Sequence, residues 1–442
     1  MTDISVREIA ADALTEILEE GRFCHSVLAR TLDKYAFLPR QDRAFLKRLV
    51  GGTVECRIRL DYILDSFSSV RVKKMKPFIR TLLRMSVYQI FEMDRVPDSA
   101  VCNEAVKLAA KRGFKGLTGF VNGVLRNISR NKDTVVFPTD EIRYSVPAWI
   151  IERFTAEYGE DSCRRMLESF SGESRVFIRL NTGKTDRETI LRTIREDGAD
   201  VIPVSGSENM FILAWQDSPE RLRAFREGMF TVQDYSSSLA GEAAGIKPGD
   251  TVLDVCGAPG GKALHAADIL KGTGRVIVRD LTEEKAERIR ENIARSGWRN
   301  VTAEVRDAEV FDPSMESACD IVIADLPCSG LGVIGRKPDI RYHASPEGIR
   351  ELAEIQRRIL AVVQRYVKPG GTLVYSTCTV TREENTDNFR WFAGEFPFTP
   401  VDITERFPEE LRRESMKSGF VQLLPGIDPC DGFFISVFRR QS

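Results

Sequence analysis

Two cysteines of this chain stand where a reactive thiol would be expected, each at the end of an apolar run and next to a prolyl or hydroxyl residue. Cys328 closes the stretch Asp325-Leu326-Pro327-Cys328, and Cys378 closes Ser376-Thr377-Cys378. A thiolate is the side chain best suited to covalent nucleophilic attack at neutral pH. Because a free thiol has a pKa of about 8.5, a neighbouring group must activate it. Either cysteine could therefore be a nucleophile.

The spacing of the cysteines argues against two other uses of sulfur. The chain has nine cysteines and no C-x-x-C pair, which disfavours both a zinc site and a disulfide framework. We therefore expect no metal. A cysteine hydrolase is a further alternative, but none of the three histidines lies in a recognisable partner motif.

Length and composition set ordinary bounds. A chain of 442 residues favours two or three domains, and 42% hydrophobic with 29% charged residues is typical of a globular protein in water. No apolar run reaches the roughly 18 residues of a membrane span, and the first residues are acidic and amphipathic. We expect a cytoplasmic protein without a membrane partner, and a monomer.

Charge is distributed unevenly along the chain. The formal net charge is −1, yet residues 1–132 hold 24 Lys and Arg against 15 Asp and Glu, an excess of nine positive charges. This excess favours an anionic partner. Nucleic acid is the leading hypothesis, and a solvated basic surface is the alternative.

The first half of the chain predicts two small domains. From Val6 to about Asn131, apolar residues recur at three- and four-residue spacings, which indicates an all-α domain. A connector with a helix at 148–158 follows. A strand at 175–180, a helix at 186–197 and strands at 199–203 and 210–214 then predict a small α+β subdomain. We place the domains at 1–135, 136–232 and 233–442.

The carboxy-terminal domain has the rhythm of an α/β doubly wound sheet. Short β-rich segments at 251–255, 275–278, 301–305, 320–324 and 372–375 alternate with helical segments such as 282–296 and 346–366. Buried parallel strands joined by crossover helices are the natural interpretation. In such sheets, ligands bind beyond the carboxyl ends of the strands.

The candidate ligand-binding residues fall at those carboxyl ends. After the first strand comes the turn Asp254-Val255-Cys256-Gly257-Ala258-Pro259-Gly260-Gly261-Lys262, whose glycines let a ligand approach the backbone. Asp280 ends the second strand, where an acidic residue accepts hydrogen bonds from ribose hydroxyls. Asp307, at the end of the third strand, is placed to accept from an adenine amine, and Asp325 follows in register. These residues indicate a ligand with a ribose and a purine. Because the motifs show no strong demand for a phosphate-binding cradle, S-adenosylmethionine is favoured over NAD.

Two sets of motifs resemble known families. Residues 96–106 together with 119–126 resemble the NusB-like family of helical RNA-binding domains, which implies RNA binding. The segments Cys256 to Lys262, Asp325 to Gly332 and Ser376 to Asn385 resemble the RNA cytosine-C5 methyltransferase family. That resemblance runs end to end, through Gln233-Asp234 and Asp431-Gly432-Phe433-Phe434, and is closest to members that modify 16S rRNA.

The resemblance implies a Rossmann-like class I methyltransferase domain, S-adenosyl-L-methionine as cofactor and 16S rRNA as partner, within the small ribosomal subunit or its precursor. It implies that Cys378 adds to carbon 6 of a flipped cytosine, that Cys328 serves release, and that Asp325 holds the base. Lys262 is a candidate for activating the thiol. The cofactor-binding residues are expected to be Cys256, Gly257, Ala258, Pro259, Gly260, Gly261, Lys262, Asp280, Asp307 and Asp325. Two departures are Gly257, where Ala is usual, and Arg279, where a small apolar residue is commoner.

Four questions stay open at this point. The Pro-Cys motif of DNA cytosine methyltransferases would select Cys328 as the nucleophile instead. The target could be another rRNA or tRNA cytosine, or the chain could be a non-catalytic RNA-binding assembly factor. The basic segment 336–342 is interpreted as a phosphate and base contact surface, against the alternative of an ordinary charged loop.

Overall fold

The computed structural model describes residues 5–172, 175–215 and 217–442. It divides into two compact units. The first comprises residues 1–171 together with Ile334–His343, and the second comprises Gly172–Val333 together with Ala344–Ser442. No helix of the described residues is both long enough and apolar enough to cross a membrane.

The first unit is helical, as its sequence periodicity predicts. Helix α5 is central, because its buried residues include every position from Thr81 to Ile90, and α1, α3, α4, α6 and α7 contact it. Ser5 caps the first helix by accepting a hydrogen bond from the Glu8 amide. The helices are α1 Val6–Leu18, α2 Cys24–Lys34, α3 Arg40–Glu55, α4 Arg57–Phe67, α5 Pro77–Glu92, α6 Asp98–Lys111, α7 Thr118–Asn131, α8 Asp140–Tyr144, α9 Ala148–Tyr158 and α10 Glu160–Phe170.

The second unit begins with a small α+β subdomain. Its four strands lie in the order β2-β3-β1-β4, and all neighbouring pairs are antiparallel. Strand β4 has three residues, too few for an alternating pattern, and was not predicted. The elements are β1 Phe177–Leu180, α11 Arg187–Glu196, β2 Asp200–Pro203, β3 Met210–Ala214, α12 Arg223–Arg226 and β4 Phe230–Val232.

The remainder of the second unit is a Rossmann-like domain around an eight-stranded sheet in the order β10-β12-β9-β8-β5-β6-β7, with β11 paired to β12. The five strands from β9 to β7 are parallel, as predicted, whereas β10, β11 and β12 pair antiparallel at one edge. The strands are β5 Thr251–Asp254, β6 Arg275–Asp280, β7 Val301–Val305, β8 Cys319–Asp325, β9 Val367–Thr377, β10 Phe398–Pro400, β11 Phe420–Leu423 and β12 Phe433–Arg440. The helices are α13 Tyr235–Ala244, α14 Gly261–Leu270, α15 Glu283–Ser296, α17 Pro346–Val363 and α18 Thr386–Glu395. Helix α16 Ile340–His343 lies between α15 and α17 in the chain but belongs to the first unit.

The segment that contains α16 packs in the helical unit. Arg341 is 1% exposed, and its Nη1 donates to the carbonyl oxygens of Tyr144 and Ser145 at 3.2 and 3.1 Å. The Tyr342 hydroxyl donates to the Glu55 carbonyl at 3.0 Å, and the Arg57 guanidinium lies 3.7 Å from the centre of its ring. The prediction that the segment 336–342 is a phosphate and base contact surface is therefore wrong for Arg341 and Tyr342, because both are engaged in intramolecular contacts. It stays a prediction for Arg336 and Lys337.

Candidate active site

Four neighbouring parallel strands bring the predicted site residues to one edge of the sheet. The glycine-rich turn follows β5, Asp280 ends β6, Asp325 ends β8, and Cys378 follows β9 directly. Since β5 pairs with both β6 and β8, and β8 with β9, the loops after these strands are adjacent. The site can be described as two halves. The β5–β7 half contains the glycine-rich turn, Asp280 and Asp307, and the β8–β9 half contains Asp325 and both cysteines.

The glycine-rich turn requires its glycines. A Cβ on Gly257 would lie 2.4 Å from Val278 Cγ1 and 2.8 Å from Asp254 Cγ, so the structure has no room for the alanine that the resembling family usually carries. Gly260 has φ +106°, in the left-handed region that glycine tolerates. Helix α14 begins directly after it, at Gly261. The turn thus presents bare backbone at the amino terminus of a ten-residue helix.

Asp280 is buried and ordered by its neighbours. Its Oδ2 accepts from the Ala258 amide at 3.0 Å, and its Oδ1 accepts from the Leu281 amide at 2.8 Å and from Lys285 Nζ at 2.9 Å. These contacts tie the end of β6 to the glycine-rich turn. Asp307, in contrast, lies two residues beyond the end of β7 and is exposed. Its Oδ1 accepts a hydrogen bond from the Glu309 amide at 2.9 Å.

Lys262 connects the two halves of the site. Its Nζ donates to Asp325 Oδ2 at 2.6 Å and to Ser237 Oγ at 2.7 Å, and it lies 5.1 Å from the centre of the Phe433 ring. Burial lowers the pKa of Lys262, but the charge of Asp325 and its hydrogen bond outweigh burial, so the pKa is raised and the ammonium form is retained. Ser376 Oγ donates to the other oxygen of Asp325 at 2.8 Å.

The two candidate thiols lie next to each other, with 3.3 Å between Cys328 Sγ and Cys378 Sγ. The hydrogen bond to Cys378 and burial together raise the pKa of the Cys328 thiol well above its ordinary value. Cys328, Cys378 and Cys256 are half-buried, whereas the other six cysteines are buried. Burial also raises the pKa of the Cys256 thiol, and the carboxylates of Asp254 and Asp280 raise it further.

Two residues of this site were missed by the sequence analysis. Ser237 lies on α13 and reaches Lys262, but it is 25 residues away in the chain and has no motif that would single it out. Asp254 was named in the sequence analysis only as the first residue of the glycine-rich turn, without a role of its own. It is 1% exposed, and no donor among the described residues reaches its Oδ1. Burial raises its pKa to about 7, with Lys262 opposing and Asp325 adding to the shift.

This arrangement defines a class of protein. A parallel sheet with an antiparallel strand inserted at one edge, a glycine-rich turn after its central strand β5 and an acidic residue ending the next strand are typical of Rossmann-like methyltransferases. The residues present fit a nucleoside-containing cofactor. The turn offers backbone in place of side chains, and Asp254 leaves a buried acceptor oxygen without a partner among the described residues.

Comparison with known proteins identifies the family. The profile of the 16S rRNA methyltransferase RsmB/F family matches residues 244–439, that of the NusB family matches 4–130, and that of an RsmF/B-like ferredoxin-like domain matches 146–216. A Bacillus subtilis protein named "Probable ribosomal RNA small subunit methyltransferase B" is 36% identical over 100% of both chains. The Salmonella paratyphi B protein named "Ribosomal RNA small subunit methyltransferase B" is 30% identical over 97% of both. The chain therefore belongs to the RsmB/F methyltransferase family.

Solved structures agree with this assignment. The crystal structure of PH0851 is 25% identical, covers 99% of both chains and superposes with a TM-score of 0.83. A methyltransferase homologue from Pyrococcus horikoshii, also 25% identical, covers 69% of this chain and 100% of its own length with a TM-score of 0.57. The predicted fold class, with NusB-like, small α+β and methyltransferase domains, is confirmed. The exact domain boundaries, the monomeric state and the cytoplasmic location stay predictions.

Proposed function

We propose that this protein transfers a methyl group from S-adenosylmethionine to carbon 5 of one cytosine in 16S rRNA, with Cys378 as the nucleophile. The proposal rests on one observation above all: two half-buried thiols lie 3.3 Å apart beside an ordered carboxylate and a buried ammonium group. The curated relatives carry ribosomal RNA small subunit methyltransferase names, which supports 16S rRNA as the substrate. The basic excess of residues 1–132 and their match to the NusB family support an RNA-binding role for the helical unit.

The cofactor would be held by the β5–β7 half of the site. The turn from Cys256 to Gly261 would pack against it with backbone, Asp280 would accept hydrogen bonds from ribose hydroxyls, and Asp307 would accept from the adenine amine. Asp280 fits this role because it is already fixed by the Ala258 and Leu281 amides. When bound, S-adenosylmethionine supplies a methyl group on a positively charged sulfur.

The pair of thiols supports Cys378 as the attacking group. The hydrogen bond to Cys378 is the largest cause of the raised pKa of Cys328, so Cys328 retains its proton and can donate it toward Cys378 Sγ. The Cys378 charge in turn helps to raise the pKa of the Lys262 ammonium group. A thiolate at Cys378 is therefore favoured by a neighbouring S–H donor and a nearby cation.

In the proposed reaction, the Cys378 thiolate forms a bond to carbon 6 of the cytosine, and carbon 5 becomes the nucleophile that accepts the methyl group. Asp325 would hold the pyrimidine ring nitrogen or exocyclic amine, because Lys262 and Ser376 fix both of its oxygens. Cys328 serves the release step, in which carbon 5 gives its proton to a base, the electron pair of that carbon–hydrogen bond re-forms the double bond between carbons 5 and 6, and Cys378 leaves carbon 6 as a thiolate.

Methylation of deproteinised 16S rRNA with labelled cofactor, followed by mapping of the modified base, tests this function. We expect one 5-methylcytosine in 16S rRNA and none with the Cys378→Ala variant. Cys319→Ala, which alters a buried cysteine in β8, is the matched control and should retain methylation. Label on a base other than cytosine, or full methylation by Cys378→Ala, would contradict the proposal.

A further inference from the structure

Glu384 is a buried carboxylate that contacts both cysteine loops. It is 0% exposed and accepts four hydrogen bonds from uncharged donors. Its Oε1 accepts from the Ser329 amide at 2.8 Å and from Gln356 Nε2 at 3.1 Å, and its Oε2 accepts from Ser329 Oγ at 2.5 Å and Thr381 Oγ1 at 2.7 Å. A buried carboxylate is costly to desolvate, so a fully satisfied one indicates a specific task.

Two of the residues that donate to Glu384 also fix the chain on either side of Cys328. Ser329 follows Cys328 in the chain and gives two of the four hydrogen bonds. Gln356, on α17, also donates from Nε2 to the carbonyl of Pro327 at 2.9 Å, the residue before Cys328. The residues on both sides of Cys328 are thus fixed through Glu384 and Gln356.

Asn385 does the same for Cys378. Its Oδ1 accepts from Thr377 Oγ1 at 2.5 Å, and its Nδ2 donates to the Thr379 carbonyl at 3.0 Å. A third hydrogen bond, from Nδ2 to Gln422 Oε1 at 2.7 Å, holds Asn385 against β11. The residues on both sides of Cys378 are therefore fixed by one amide that is 1% exposed.

We propose that Glu384 and Asn385 are a pair of positioning residues with separate tasks: Asn385 sets the place of the attacking thiol, and Glu384 sets the place of the releasing thiol against it. Because Glu384 and Asn385 are adjacent in the chain, they hold the Cys328 loop and the Cys378 loop in fixed positions relative to each other. The division into attack and release rests on the proposed function. The positioning itself rests only on the hydrogen bonds.

Oxidative coupling of the thiols tests the positioning without any reaction on RNA. Diamide, a diazene oxidant, accepts two electrons and two protons from two thiols, which leaves one disulfide and one hydrazine. Sulfurs 3.3 Å apart need only a small movement to reach the bond length of about 2.05 Å. We expect rapid formation of a Cys328–Cys378 disulfide in the wild type, detected by peptide mass spectrometry. Coupling should be slower by about 100-fold in Glu384→Ala and in Asn385→Ala, because misplacement by about 1 Å has effects of that size.

The covalent complex with substrate RNA separates the two tasks. Glu384→Ala should accumulate a protein–RNA adduct because release is impaired, whereas Asn385→Ala should form little adduct because attack is impaired. Glu384→Gln should recover most of the wild-type behaviour, since the amide can donate to the Ser329 and Thr381 hydroxyls, which can rotate to accept. Ser329→Ala, which removes the hydroxyl contacts with Glu384 Oε2 and with Thr379 Oγ1 at 2.7 Å but keeps the Ser329 amide and Glu384, should accumulate adduct more weakly.

The matched control is Asp320→Asn, a carboxylate at the other end of β8 that accepts from the Thr251 amide and Lys368. It should leave coupling and adduct formation unchanged. A wild type that fails to couple, or Glu384→Ala, Asn385→Ala and Ser329→Ala variants that couple and react like the wild type, would overturn the proposal. If Cys378 is not the nucleophile, the adduct results change but the coupling results stand.

Discussion

The β5–β7 half of the site is shaped mainly by backbone groups, whereas the β8–β9 half is shaped mainly by side chains. The β5–β7 half is shaped by backbone: Gly257 packs against Val278 and Asp254, and Asp280 is held by amides. The β8–β9 half is shaped by buried side chains, among them Ser376, Glu384 and Asn385. A site of the first kind is sensitive to added atoms, and one of the second kind is sensitive to lost hydrogen bonds. Lys262 joins the two.

The largest effect is expected where the halves meet. Lys262→Met removes the ammonium group between Asp325 and Ser237 and leaves the carboxylate without its cation. We expect methylation to fall by about 100-fold or more and the free energy of unfolding to fall by roughly 3 kcal/mol. Labelled methyl transfer and urea unfolding measure the two quantities.

Lys368→Met is the matched control for that prediction. Lys368 also pairs with an aspartate of β8, Asp320 at 2.8 Å, but at the opposite end of the strand and with more exposed side chains. Lys368→Met should lower the free energy of unfolding by less than about 1 kcal/mol and leave the rate of methyl transfer unchanged. Equal loss of methylation in both variants would mean that Lys262 acts only through general stability.

The next effect tests whether the β5–β7 half is limited by space. In Gly257→Ala the new Cβ would meet Val278 and Asp254, so the turn must move. We expect cofactor affinity to fall by about tenfold, measured by calorimetry, while cysteine coupling in the β8–β9 half stays normal. Gly394→Ala, in α18 with open space around the new Cβ, is the control. Unchanged affinity in Gly257→Ala would show that the turn adapts.

Much of the fold, and the positions of several site residues, could be predicted from the sequence. The helix at 148–158 and the strands at 210–214 and 301–305 have the predicted bounds, because long periodicity and β-rich runs bounded by turn residues specify them. The positions of the glycine-rich turn, Asp280 and both cysteines follow from the rule that ligands gather at the carboxyl ends of parallel strands.

What could not be predicted depends on contacts between distant segments. Strands β4 and β10 have three residues each, so their patterns carry no signal. Arg341 belongs to a basic segment whose composition predicts exposure to solvent, yet its side chain is buried and donates to the carbonyl groups of Tyr144 and Ser145. Ser237 and the hydrogen-bonding roles of Glu384 and Asn385 require the three-dimensional arrangement of several loops.

The last effect concerns Asp254, the first residue of the glycine-rich turn, and it is spread over about three pH units. Burial raises its folded-state pKa from 3.8 to about 7, so its stabilising contribution is fully present below about pH 4 and is lost as pH rises toward 7. The free energy of unfolding of the wild type, relative to Asp254→Asn, should fall by at most about 1.4 kcal/mol per pH unit in that window. Urea unfolding without added ligand, at several pH values, measures this difference.

Asp320→Asn provides the contrast for that titration. Burial opposes ionisation of Asp320, but the hydrogen bonds from Lys368 and the Thr251 amide, together with the charge of Lys368, outweigh burial and lower the pKa below 3.8. Its difference from the wild type should therefore change only in more acidic solution. A flat difference for Asp254→Asn between pH 4 and 7 would show that Asp254 is ionised throughout.

In the proposed mechanism, Cys378 forms the bond to the cytosine and Cys328 releases it. The most direct measurement is a denaturing gel of each alanine variant incubated with 16S rRNA and cofactor. We expect Cys328→Ala to accumulate a covalent protein–RNA complex and Cys378→Ala to form none. A complex formed by Cys378→Ala and absent from Cys328→Ala would contradict this mechanism and would make Cys328 the attacking residue and Cys378 the releasing one.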